Sequence, residues 1–163
     1  MFKPEQIKAL EAKLDPKHVT QRTQSGRTLD YIEGWQAIAE ANRIFGFDGW
    51  DRQTVKMTEL RRDEVTDKYG KPQWRVGYMS KVRIIVKIEC PNEDPWIVMR
   101  EGTGFGSGAM GDLGEAIESA IKEAETDAMK RALMTFGNPF GLALYDKSKA
   151  NVGIDEPAFT PAK

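Results

Sequence analysis

One arc of apolar positions dominates the chain. In the stretch 112–141, DLGEAIESAIKEAETDAMKRALMTFGNPFG, the residues Leu113, Ala116, Ile117, Ala120, Ile121, Ala124, Ala128 and Ala132 recur at three- and four-residue steps. Such positions share one arc of an α-helix. The arc is mostly alanine, and small side chains let a helix press close to a sheet. Asp112, Glu115, Glu118 and Glu123 crowd its first half, and Lys130 and Arg131 its last turns, as the helix dipole favours. Gly137, Asn138 and Pro139 end it.

Two shorter stretches carry the same period. Residues 4–14 place Ile7, Leu10 and Leu14 on one stripe, with Pro4 in the first turn. Ile32 to Phe45 places Ile32, Trp35, Ile38, Ala39, Asn42 and Phe45 on one side, predicting a second helix with that side inward. Period two governs Trp74 to Ile88. Val76, Tyr78, Ser80, Val82, Ile84, Val86 and Ile88 take one face; Arg75, Met79, Lys81, Arg83, Ile85 and Lys87 take the other. Trp50 to Leu60 and Trp96 to Glu101 flank it as the other strands of an antiparallel meander. A charged connection, RRDEVTDKYGKPQ, and the turn PNEDP join them. His18 to Arg22 and Thr28 to Ile32 read as a hairpin with Gly26 in its turn.

The segment GTGFGSGAMG at 102–111 stands between a strand and the long helix, where a nucleotide-binding loop would stand. The spacing fails. From Gly102 the glycines run G-x-G-x-G-x-G, and Ser107 occupies the place of the third glycine of a dinucleotide fingerprint. From Gly106 the spacing suits a P-loop, but Asp112 follows where lysine is required. The glycines are therefore expected to let the chain leave the sheet and cross tightly to the helix. A nucleotide-binding enzyme or switch at this loop is the runner-up reading.

Composition narrows the chemistry. With 163 residues and 40% hydrophobic content, the chain suits one domain with a real core. One histidine, His18, and one cysteine, Cys90, leave a zinc site or a Ser-His-Asp set without partners. No cofactor, metal or catalytic residue is expected, and the chain reads as a non-enzyme. A single cysteine points to a reducing compartment, no apolar run is long enough to span a membrane, and the N-terminus is no signal peptide. The net charge is −1, unlike the usual nucleic-acid binder. Yet positions 51–89 hold ten Lys/Arg against six Asp/Glu, a local +4, so charge is segregated onto the sheet. Armour for an edge strand and a nucleic-acid face both account for it.

On the long helix, Lys122, Thr126 and Lys130 stand at i, i+4 and i+8 and stack in one row. Two ammonium groups and a hydroxyl in a row suit a chain of phosphates; a solvated face with its lysines paired to neighbouring acids is the commoner meaning. Arg131 falls near the alanine arc, so it must snorkel, pair with an acid such as Asp127, or line a groove.

Three segments go beyond pattern: DYIEGWQAIAEANRIFGFDGW at 30–50, RVGYMSKVRI at 75–84 and KEAETDAMKRALMTFGNPFG at 122–141. In this order and spacing they resemble the DNA-annealing domain of the Rad52/Rad22 recombination mediator family and its bacterial and phage relatives. The resemblance covers roughly residues 7–146. It implies an α+β fold in which a β-hairpin and a three-stranded antiparallel sheet pack on a long helix, in a ring-forming subunit. It implies single-stranded DNA in a basic groove around the ring, phosphates inward, and annealing of complementary strands without ATP in homologous recombination and double-strand break repair. A near-neutral subunit still makes a basic belt when its charged face is repeated.

By that resemblance Arg22, Tyr31, Lys122, Thr126, Lys130 and Arg131 are the DNA-binding residues, and Lys71, Lys81 and Arg83 are candidates for an outer DNA site. Met134 stands where close eukaryotic relatives have an arginine, which removes one contact. The implied partners are single-stranded DNA and further copies of the chain, with a single-strand-binding protein, an exonuclease or a recombinase as candidates, and no membrane. Residues 1–146 are expected to form the annealing domain and 147–163 a disordered tail. The short tail favours a minimal bacterial or phage protein over a piece of a longer one, working in the cytoplasm; a eukaryotic member would work in the nucleus or an organelle.

Overall fold

A computed structural model describes residues 1–24, 26–91 and 93–155. Helix α1 (Pro4–Glu11) leads to a two-stranded antiparallel hairpin, β1 (Thr20–Gln24) and β2 (Arg27–Tyr31). Helix α2 (Gly34–Phe45) follows. A three-stranded antiparallel sheet in the order β3-β4-β5 comes next, with β3 (Trp50–Thr66), β4 (Pro72–Cys90) and β5 (Glu93–Met110). Helix α3 (Leu113–Met134) then crosses the sheet, and two short 3₁₀ helices, Asn138–Phe140 and Leu142–Leu144, close the described fold. This is the expected α+β architecture.

The predicted alanine arc is the seam of the molecule. Ala116, Ala120, Ala124, Ala128 and Ala132 are all fully buried against the sheet. What they meet corrects the reading of the glycine segment. Residues 102–110 do not leave the sheet; they are the second half of β5, paired with β4 from Gly102↔Val82 to Met110↔Trp74. Gly102, Gly104, Gly106 and Gly108 all point at α3. A Cβ on Gly104 would lie 2.2 Å from Ala128 N, and one on Gly106 would lie 2.0 Å from Ala120 O. Alternate glycines on the strand and alanines on the helix thus bring two backbones into direct contact. The free edge of β5 is tied to the same helix. Ser107 N–H donates to Glu123 Oε2 at 2.8 Å and Phe105 N–H to Asp127 Oδ2 at 3.3 Å.

The even positions of β4 face α3, as alternation predicts, with Val82, Ile84 and Val86 fully buried. The core thickens beyond the hairpin. There Leu14, Leu133, Met129 and Phe140 are almost wholly buried, and the rings of Phe2, Phe45, Phe136 and Phe140 pack on one another. Each fully buried side chain of this size contributes roughly 1.5–3 kcal/mol. Asp112 caps α3 by accepting the Glu115 N–H at 2.9 Å.

Other expectations need correction. Helix α1 stops at Glu11, and Leu14 instead pairs with Val152 in an isolated parallel bridge. Strand β3 runs past Leu60 through most of the supposed charged connection, with register shifts at Thr54/Lys56 and Glu59/Arg61. Its charges do not bar pairing because they satisfy one another, as in the Arg62–Glu59 ion pair. Only Asp67 to Lys71 turns, held by Asp67 N–H donating to Lys71 O at 2.8 Å.

Of the side of α2 marked by the sequence, only Phe45 and, just before the helix, Ile32 are buried; Trp35, Ile38 and Ala39 are exposed. Ala37 and Ala41 are fully buried, with Ile44 and Phe45 nearly so, while Trp35 is 69% exposed. The small side chains seat the helix closely on α3, which leaves the bulky indole outside. Glu40 is buried but offset by Arg43, whose guanidinium lies 2.6 Å from its carboxylate. Residues 147–155 of the expected tail pack against the body. Gly153 N–H donates to Leu14 O, and Lys149 pairs with Asp30. Residues 156–163 lie outside the described part.

Candidate nucleic-acid interface

A cleft of about 320 Å³ opens where the hairpin overhangs the C-terminal half of α3. The hairpin supplies Arg22, Leu29, Asp30 and Tyr31, α3 supplies Asp127, Lys130, Arg131 and Met134, and the turns after α3 supply Leu144 and Tyr145. The register explains the hairpin's share. Arg22 lies opposite Leu29, and Tyr31 is two residues further along, so all three side chains take the same face.

Tyr31 organises the cations. The Arg22 guanidinium carbon is 5.4 Å from the Tyr31 ring centroid and Lys130 Nζ is 5.3 Å from it. Both are within range of cation–π attraction. The Tyr31 hydroxyl donates to Glu33 Oε1 at 2.9 Å, which raises the phenol pKa above its usual value. Lys130 is half-buried, and Nζ donates to Ile32 O at 3.3 Å. Burial pulls its pKa below the ordinary 10.5, with Arg22 and Arg131 pushing the same way and Asp127 and Glu33 opposing. The ammonium is thus held partly dehydrated beside like charges, a state that a bound anion would relieve.

Arg131 leans on Asp127, one turn earlier, through Nε at 3.0 Å; this contact raises its pKa. Its side chain stays 54% exposed, and its two terminal amino groups make no hydrogen bond among the described residues. Pairing and lining a groove, set out as alternatives for this residue, both hold.

Arg22, Tyr31, Lys130 and Arg131 are brought into one cleft from segments far apart in the chain. The rest of the helix row is placed differently. Thr126 is half-buried beside the start of α2, where a Cβ on Gly34 would lie 2.7 Å from its methyl carbon. Lys122 lies outside the cleft on the exposed face of α3 and pairs with Glu118, the bland arrangement of such a row. Lys71 is exposed in the β3–β4 turn. Lys81 and Arg83 project from the sheet face opposite α3, and both pair with Glu101 on β5, Arg83 at 2.7 Å. Those two cations share one carboxylate, which offsets part of their charge.

Sequence reasoning overlooked Leu29, Leu144 and Tyr145 as cleft residues. The last two follow the long helix on 3₁₀ turns, where no period marks an inward face.

The fold and cleft define an α+β module with a cation-lined groove between a hairpin and a long helix. The profile of the Rad52/22 family of double-strand break repair proteins matches residues 4–156. The chain belongs to that family. The DNA repair and recombination protein RAD52 of Eremothecium gossypii is 36% identical over 153 residues, 93% of this chain and 32% of that protein. RAD52 of Saccharomyces cerevisiae is 35% identical over 156 residues, 93% of this chain and 30% of that protein. The DNA repair and recombination protein rad22 of Schizosaccharomyces pombe is 35% identical over 142 residues, 85% of this chain and 28% of that protein. The chain spans about a third of the length of these relatives. All three are fungal, so they lend no support to the bacterial or phage-type placement. No described helix is long and apolar enough to cross a membrane.

Proposed function

We propose that this chain binds single-stranded DNA in the cleft between hairpin and α3 and anneals complementary strands without ATP. The observation that carries this reading is the convergence of Arg22 and Lys130 on the Tyr31 ring, with Arg131 in the same open groove. Phosphates entering it displace counterions, relieve the repulsion among these cations and give the free guanidinium N–H groups acceptors. Thr126 and Lys122 extend the phosphate track along α3. Gripping the backbone leaves base edges free to sample a second strand. No covalent step is needed. The relatives' names, which speak of DNA repair and recombination, support a role in homologous recombination and double-strand break repair. In a eukaryotic cell that role lies in the nucleus.

The chain is further proposed to act as a homo-oligomeric ring. The outer sheet face carries Lys56, Arg61, Arg75, Lys81, Arg83 and Lys87 against Asp51, Asp63 and Glu101, whereas the first half of α3, with Asp112 at its cap, carries Glu115, Glu118 and Glu123 against one lysine, Lys122. Opposite charge on opposite sides of one layer favours head-to-tail stacking, which closes into a ring when the rotation per subunit permits. The exposed Trp35 adds an apolar anchor. A single-strand-binding protein, an exonuclease or a recombinase would be later partners. The outer DNA site at Lys71, Lys81 and Arg83 has weaker support, since Glu101 already occupies two of its cations.

The test is annealing of two complementary dye-labelled oligonucleotides without nucleotide, across a salt series, with Lys130→Glu beside wild type. Fast annealing lost in the variant supports the reading. Normal binding by Lys130→Glu would displace the groove, and binding without annealing would reduce the protein to a single-strand shield.

A further inference from the structure

We propose that Tyr145 is a nucleobase platform at the mouth of the groove, stacking one unpaired base per subunit while the cations hold the backbone. The inference rests on the groove reading above. Tyr145 lines the same cleft as Arg22, Lys130 and Arg131, yet the residue is 66% exposed. It contributes little to the core. Its hydroxyl makes no hydrogen bond among the described residues, and no cation or aromatic ring there stacks on it.

The contrast with Tyr31 is informative. The Tyr31 ring is attended by two cations and its hydroxyl is held by Glu33, so its surface is committed to positioning charge. The Tyr145 ring is uncommitted but firmly mounted. Its N–H donates to Leu142 O at 3.0 Å at the end of a 3₁₀ turn, and Ala143 and Phe140 beneath that turn are buried. Leu29, 43% exposed, offers apolar surface in the same cleft.

An open aromatic face beside a cationic track is the combination that holds single strands, because every base has a π-face and a single strand can present it. In a duplex both faces of each base are covered by neighbours. The platform therefore favours unpaired DNA over paired DNA, which the phosphate contacts alone cannot do. It also releases its base once a complementary strand captures it.

The experiment compares fluorescence anisotropy binding of an oligothymidylate with that of an abasic oligomer of equal length at one salt concentration, using wild type, Tyr145→Ala and Tyr145→Phe. The expected wild-type preference for the base-bearing strand is about tenfold. Tyr145→Ala should bind the abasic strand as wild type does and lose the preference, and Tyr145→Phe should keep it. Equal wild-type binding of both strands, or a preference that survives in Tyr145→Ala, overturns the platform and leaves the groove standing. Failure of wild type to bind either strand overturns the groove reading and the platform with it.

Discussion

Arg131 and Asp127 hold each other on the groove wall, Nε 3.0 Å from the carboxylate, one helical turn apart. The acid orients the guanidinium, and under the proposed function it would compete with a DNA phosphate for it. An exposed pair of this kind is worth up to ~1 kcal/mol. Asp127→Asn keeps an oxygen for the Phe105 N–H and removes the competing charge. Affinity for single strands at low salt should rise by about fivefold. Unchanged affinity in a binding titration would mean that Arg131 does not meet the backbone.

The lowered pKa of Lys130 should make the proposed DNA binding pH-dependent. Phosphate favours the charged ammonium, so affinity should fall as pH rises through the lowered pKa, in the window below 10.5. The stability sign is opposite. The folded pKa lies under the unfolded one, so the penalty is fully present below the folded pKa and is relieved as pH climbs toward 10.5. Lys130→Arg, which stays charged throughout, should flatten the binding profile. A profile equally steep in that variant would assign the proton to another group.

The row along α3 should prove unequal. Lys122→Ala should weaken binding less than Lys130→Ala, since Lys122 is outside the cleft and paired with Glu118. The measurement is the slope of log affinity against log salt for each variant, each lost phosphate contact on a single strand lowering its magnitude by about 0.7. A larger loss for Lys122→Ala would move the DNA path up the helix.

The backbone contact between β5 and α3 leaves no room for a methyl group. Gly106→Ala should destabilise the fold by about 3 kcal/mol and lower the Tm by roughly 6–12 °C. Gly111→Ala, with nothing within 4 Å of the added carbon, is the control and should stay within about 0.5 kcal/mol of wild type. A thermal melt decides it; similar values for the two would mean that the seam can open without cost.

Ser80 lies fully buried in the middle of β4, and its hydroxyl has no partner among the described residues. Removing an unpaired buried hydroxyl removes a desolvation cost, so Ser80→Ala should stabilise the protein by about 1 kcal/mol. Destabilisation in a denaturant titration would show that the hydroxyl has a partner after all.

The sequence by itself determined the long helix, its alanine arc and the two faces of β4, because each is a period carried by side chains of contrasting polarity. Through resemblance it also named Arg22, Tyr31, Lys130 and Arg131 of the cleft. It could not place the second half of β5, since a strand with glycine at every second position has no inward side chains to alternate with outward ones. Those glycines make sense only once the alanines of α3 lie on them. Nor did it choose the buried face of α2. Apolar Trp35 and Ile38 argued for one side, but closeness to α3 selects the alanine side, and packing distance is a property of two elements together. The same holds at the groove. Only tertiary structure decides that Lys130 enters it while Lys122, two turns earlier on the same row, stays outside, because the overhanging hairpin, not the helix, sets where the cleft begins.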